Sequence, residues 1–178
     1  MILRLPWMLA FSVCSAGCAH EVSTSLQATS PVELLPLLVR ESSFPTIVLL
    51  DSTVVLPPQE LDWVVRQPWA DSARSQLTAA VRDLQERGRT RWPLDTAAVR
   101  TVGIKSVSQT PDRQFLVGPG GLTVLSVSPV GFSRDSSISV VYWRYHCGVL
   151  CGGSQLSFFV RSPDGSWRPF HSEPLMRS

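Results

Sequence analysis

Between Ile138 and Val160 the chain carries two runs rich in β-forming residues, ISVVYWRYH and GGSQLSFFV, on either side of the segment from Cys147 to Cys151. Setting Cys147 opposite Cys151 in a hairpin pairs Tyr145 with Gly153, Trp143 with Gln155 and Val141 with Ser157. Side chains alternate faces along a strand, so this register gathers Ile138, Val140, Tyr142, Leu156, Phe158 and Val160 on one face, which reads as a core face. The opposite face holds Val141, Trp143, Tyr145, Gln155, Ser157 and Phe159, and is expected to be only partly covered. Upstream, Ala73, Leu77, Ala80, Val81 and Leu84 recur at helical spacing and predict a helix over 71–87, with Gly88 at its end.

The remaining elements are shorter. Ser30-Pro31-Val32-Glu33 has the form of a capping box with proline at the first helical position, and Pro36 predicts that the helix behind it is short or kinked. The run 45–56 reads as one or two strands interrupted by Asp51-Ser52-Thr53, and 60–66 as a helical turn. Strands are expected over 99–107, with Gly103 at a bulge, over 122–127, and over 167–170 after the turn Ser162-Pro163-Asp164-Gly165. Residues 128–135 read as a connection. The fold class this predicts is α+β: helices mainly in the N-terminal half, packed on an antiparallel β-meander formed mostly by the C-terminal half.

Composition narrows the setting. With 44% hydrophobic residues and modest charge, the 178-residue chain fits a single globular domain and not a disordered one. The formal net charge is +2, and loss of Arg4 with a leader would leave +1, so there is no basic field to support nucleic-acid binding.

That leader is the clearest signal in the sequence. Met1 to Arg4 makes a short basic start, Leu5 to Val13 an apolar run too short to span a membrane, and small residues precede Cys18. Ser15-Ala16-Gly17-Cys18 resembles the bacterial lipobox, whose cysteine is lipidated after cleavage, although Ser15 stands where that motif prefers an aliphatic residue. The resemblance implies a signal peptide over 1–17 and a lipid anchor to the membrane on Cys18; the polar, Ser/Thr-bearing stretch behind it reads as a tether over 18–29, and the length that is left as one domain over 30–178. Plain secretion is the alternative. Either route leads out of the cytoplasm to the cell envelope or beyond. Cys14 then leaves with the leader and Cys18 carries lipid, so Cys147 and Cys151 remain as a close pair, most simply a structural disulfide.

Candidate chemistry is sparse. Cys147, Cys151, His146 and His171 could be imagined around a metal, but His146 and Cys147 are adjacent in a strand and point to opposite faces. No metal site and no cofactor is expected. Nucleophile-elbow, zincin and phosphate-loop patterns are missing, since Gly118-Pro119-Gly120-Gly121 lacks the lysine and hydroxyl residue of a phosphate loop. Asp51, Glu60 and Asp62 could flank a glycan as paired carboxylates do in glycosidases, though solvated acids are the commoner explanation. Trp63, Trp69 and Trp92 could stack on sugars, with core packing the default.

Taken together, Gly131-Phe132-Ser133-Arg134-Asp135, the Val140-Val141-Tyr142 strand, Cys147-Gly148-Val149-Leu150-Cys151-Gly152 and Asp164-Gly165-Ser166-Trp167 resemble a set of uncharacterised bacterial exported proteins. The resemblance covers about the last third of the chain. It implies a shared antiparallel sheet and an exported setting, and it carries no activity. The reading is therefore a noncatalytic binding or structural module of the cell envelope with an envelope protein or glycan as partner; the alternative is an envelope hydrolase acting on glycans through its acids. The hairpin tip, with Arg144, His146, Val149 and Leu150, is the expected partner surface.

Overall fold

A computed structural model describes residues 31–42, 46–56, 61–108, 122–148 and 151–177. The leader, Cys18, the tether, Glu60, the glycine-rich turn at 118–121, Val149 and Leu150 lie outside the described residues. The strands are β1 (Thr46–Leu50), β2 (Lys105–Val107), β3 (Leu122–Phe132), β4 (Ile138–Gly148), β5 (Cys151–Arg161) and β6 (Trp167–Arg177). The helices are α1 (Leu35–Ser42), α2 (Arg74–Arg87) and α3 (Thr96–Thr101), joined by 3-10 segments at Pro31–Leu34, Leu61–Arg66 and Pro68–Ala73. The fold is α+β, with a single sheet in the order β2-β1-β3-β4-β5-β6. β3 through β6 form an antiparallel meander, whereas β1 is parallel to both β2 and β3.

The β4–β5 register is the one that setting Cys147 opposite Cys151 predicts, from Ile138 opposite Val160 to His146 opposite Gly152. Its apolar face packs Ile138, Val140, Tyr142, Leu156 and Phe158 against Leu77, Ala80, Val81 and Leu84 of α2 and against Leu61, Val64 and Val65. The α2 residues are the ones expected from helical spacing, and each is buried. Removing a side chain of this size from water is worth about 1.5–3 kcal/mol, so this face alone accounts for a large share of the folding drive.

The second face differs from expectation. It is covered, because Pro31–Leu34, α1 and α3 lie over it: Leu34, Leu35, Leu38 and Val99 join Leu125, Val127, Val141, Trp143 and Phe159 in a separate cluster. Trp143 is accommodated there because its indole N–H donates to Ser157 Oγ at 3.0 Å, which satisfies the polar edge of an otherwise apolar ring. The sheet is thus the middle of three layers.

Local predictions also shift. The segment 99–107 is divided: residues up to Thr101 belong to α3, which is capped by Asp95 Oδ1 accepting the backbone N–H groups of Ala97 and Ala98 at 2.9 and 3.0 Å, and only Lys105–Val107 is strand. Gly103 has φ 77° and forms the turn out of α3, not a bulge. Asp71 to Ala73 belong to the 3-10 segment before α2. Pro36 falls in the first turn of α1, where no backbone donor is needed, so the helix is short and continuous. Residues 128–132 extend β3 through a bulge between Val127 and Val130. The polar groups buried there are satisfied: Ser128 Oγ accepts from Tyr142 N at 3.0 Å and Val127 O accepts from Val54 N at 2.8 Å. Finally, β6 continues past Phe170 to Arg177, so His171 is a strand residue.

One glycine sets how close helix and sheet come. A Cβ at Gly131 would lie 2.6 Å from Leu84 Cβ and even nearer the backbone of α2. Asp83 completes the docking: Oδ2 accepts from Phe132 N at 2.9 Å, and the carboxylate pairs with Arg87 Nε at 2.9 Å.

Candidate functional site

The meander has two ends. At one end β4 meets β5 in the tip that holds Cys147 and Cys151. At the other end the β3–β4 and β5–β6 turns lie together, joined where Arg161 N–H donates to Ser137 O at 2.8 Å.

At the tip Cys147 and Cys151 are joined as a disulfide, with Cα atoms 5.1 Å apart. The register slips by one residue here, so that the Cα partner of Cys151 is Gly148, which has φ 152° and marks a bulge. Arg144 and His146 are exposed on the same strand face. Partial desolvation of the His146 ring, and after it the Arg144 guanidinium two residues away, hold the imidazole below its ordinary value of 6.5. Of the expected partner surface, Arg144 and His146 are therefore placed together, and Val149 and Leu150 fall outside the described residues.

The imagined metal set does not assemble. His171 is opposite Phe158 and His146 opposite Gly152; six residues of β5 separate them, about 20 Å. His171 instead stacks on Trp69, with ring centroids 3.8 Å apart, and its Nε2 is 3.1 Å from Glu173 Oε2. Joined in a disulfide, the two sulfurs are not the thiolates a metal would need. The three tryptophans are also dispersed. Trp69 packs on Phe158 and His171 just before α2, whereas the indole of Trp92 donates to Arg87 O at the far end of that helix. Trp63 is exposed in the 61–66 segment. Asp51 follows β1, where its backbone N–H donates to Val107 O and its carbonyl accepts from Leu94 N. Asp62 lies in the 61–66 segment. Both are partly buried.

Sequence reasoning missed the opposite end. An open groove of about 1330 Å³ lies between α2 and the paired turns, and neither Asp51 nor Asp62 lines it. Arg82, Arg87, Arg134 and Arg161 face it, as do Glu33, Asp83, Glu86 and Asp135. Its aromatic wall is a ladder. The Arg87 guanidinium is 5.8 Å from the Phe132 ring centroid, Phe132 is 6.1 Å from Trp167, and the Arg161 guanidinium is 5.7 Å from Trp167.

Its turn is ordered by Asp135. The Oδ1 atom accepts from Ser133 Oγ at 2.7 Å, Ser137 Oγ at 2.8 Å and Ser137 N at 3.1 Å. These bonds, with the Ser133 hydroxyl contributing most, hold the carboxyl down to about 2. Ser133 Oγ in turn accepts from Ile138 N at 2.9 Å, which starts β4. The Gly131-Phe132-Ser133-Arg134-Asp135 motif was visible in the sequence. Its convergence with Arg82 and Arg161 was not, because those residues come from α2 and the end of β5.

Comparison with protein families, curated proteins and solved structures finds no match to this chain.

Proposed function

We propose that the protein is a noncatalytic binding module of the bacterial cell envelope, exported by its N-terminal leader and held at the membrane by lipid on Cys18. The observation that carries this reading is the Cys147–Cys151 disulfide at an exposed hairpin tip. A disulfide closed over so short a loop persists in an oxidising compartment and not in a reducing cytosol, and the leader supplies a route to such a compartment. No described helix is long and apolar enough to cross a membrane; lipid on Cys18 would supply one attachment, with a second signal needed for firm anchoring. Among the described residues, the groove between α2 and the paired turns and the tip around Arg144 and His146 offer surfaces to a partner.

The test is mass spectrometry of the natively expressed protein after alkylation without reductant. Unalkylated Cys147 and Cys151 together with a diacylated Cys18 at the new N-terminus are the expected result. Free thiols with an intact leader sink the reading, and a clean N-terminus beyond Cys18 replaces lipid anchoring by secretion. The hydrolase alternative makes a separate demand: substitution of Asp51 and Asp62 by alanine must abolish any glycan cleavage by the wild-type protein, whereas a binding module keeps its partner affinity.

A further inference from the structure

Behind α2 the chain turns through Arg89-Thr90-Arg91-Trp92 and runs beside the segment 51–56. Its backbone is fixed there: Thr53 N–H donates to Trp92 O at 2.7 Å, Trp92 N–H to Thr53 Oγ1 at 2.8 Å and Leu56 N–H to Gly88 O at 2.8 Å. The large side chains of this ladder nevertheless stand in solvent. Trp92 is 54% exposed, Val55 on the facing segment is 50% exposed, and Arg89 and Arg91 are exposed with them. The charge has one sign, since neither 52–56 nor 87–94 carries an acid. Arg87 is paired with Asp83, but among the described residues the side chains of Arg89 and Arg91 make no hydrogen bond or ion pair. Glu86, just upstream, lines the groove, which Arg89, Arg91 and Trp92 do not. The carbonyls at the end of α2, which would repel an anion, are already occupied: Leu84 O, Glu86 O, Arg87 O and Gly88 O accept from Gly88 N, Arg89 N, Trp92 Nε1 and Leu56 N.

We propose that the patch of Arg89, Arg91, Trp92 and Val55 docks on the anionic phospholipid surface of the membrane that carries the Cys18 anchor. This rests on the lipid-anchored reading above and names the second signal that firm anchoring needs, a basic patch beside the lipid. Tryptophan suits the headgroup layer because its ring is apolar and its edge polar, Val55 adds apolar surface next to it, and the two guanidinium groups bind lipid phosphates through charge-assisted hydrogen bonds. Two free arginines are too few for a nucleic acid, whose binding rests on several phosphate contacts. The anchor also reaches. The thirteen residues from Cys18 to Pro31 span at most about 45 Å, more than the roughly 36 Å length of an eleven-residue strand such as β3, so lipid on Cys18 and this patch can meet the same membrane.

Tryptophan emission of the natively processed protein on vesicles tests the proposal, with phosphatidylcholine alone or mixed with phosphatidylglycerol and with bromine on the acyl chains as quencher. The expected result is quenching on the anionic vesicles that is relieved by salt and removed by Trp92→Phe. Each arginine near an anionic surface is worth about fivefold, so the Arg89→Gln/Arg91→Gln double variant should lower the ratio of docked to undocked protein about 25-fold, while Arg144→Gln at the hairpin tip leaves it unchanged. Both loop arginines are exposed, so the double variant is expected to keep the wild-type melting temperature, checked by circular dichroism. Equal quenching on neutral vesicles, quenching undiminished in Trp92→Phe, or a folded double variant docked as tightly as wild type would each overturn the proposal. So would an absence of quenching, the result expected of a patch that meets a protein partner instead. Lipid on Cys18 is read independently by mass spectrometry: lipidated protein without Trp92 quenching defeats the docking alone, and protein without acyl chains defeats the anchoring on which it rests.

Discussion

Gly131 and Asp135 show how single residues set the geometry of the groove end. Gly131 lets α2 lie directly on β3, since any Cβ there would collide with Leu84 and the helix backbone. Helix backbone gives way far less readily than a side chain, so Gly131→Ala is expected to destabilise the fold by about 1–3 kcal/mol, the usual cost of overpacking. Urea denaturation measures it, and a change within error would mean that α2 slides freely on the sheet. Asp135 is an electrostatic counterpart. Its carboxyl titrates at about 2, below its ordinary 3.8. A lowered value means the folded state favours the ionised form. The contribution to stability is therefore complete above about pH 3.8 and is lost as pH falls toward 2. Denaturation midpoints of wild type and Asp135→Asn between pH 5 and pH 2 should show a shallower acid-side fall in the variant; parallel curves would contradict the assignment. The side chain is exposed, so solvent screening keeps the effect small.

At the scale of elements, the β4–β5 hairpin joins a local staple to a long-range sorting of side chains. Its register from Ile138 to His146 agrees with the alternation of apolar residues, and the disulfide closes the remaining tip. Replacing Cys147 and Cys151 together with serine is expected to cost about 2 kcal/mol, the loop-closure value for so short a loop. The paired strands should stay in register, because a one-residue slip would turn Val140 and Phe158 out of one core and Val141 and Phe159 out of the other. Thermal melts measure the cost, and amide exchange along β4 and β5 checks the register; loss of protection throughout both strands would mean the disulfide holds the pairing itself. The edge strand β6 is managed differently. Pro169 and Pro174 each lack a backbone donor, and two bulges interrupt its pairing with β5, devices that blunt an edge against a further strand.

The whole molecule depends on one sheet serving two cores. Val140 and Phe158 point to α2, while their neighbours Val141 and Phe159 point to the layer of α1 and α3. Neither core can be dissolved without exposing strands that the other requires. The described domain is therefore expected to unfold in a single cooperative transition, with far-ultraviolet circular dichroism and tryptophan fluorescence giving coincident curves. Trp143 reports on one core and Trp69 on the other, and separated midpoints would show that the layers unfold independently.

Periodicity in the sequence determined the buried stripe of α2 and the faces of the β4–β5 hairpin, because 3.6-residue and 2-residue repeats are local properties of the backbone. The turn at Ser162 to Gly165 was legible for the same reason: Gly165 has φ 84° and its N–H donates to Ser162 O at 2.8 Å. The helix at 96–101 was hidden because its apolar residues are few and its cap, Asp95, has meaning only once Ala97 and Ala98 turn toward it. Only tertiary structure placed β1 between β2 and β3, covered both faces of the sheet, and carried β3 and β6 through their bulges. Those outcomes depend on contacts between segments far apart in the chain, which no local period encodes. The groove belongs to the same class. Arg82, Arg134 and Arg161 are scattered along the sequence, and the docking of α2 on Gly131, together with the register of the meander, brings them to one surface.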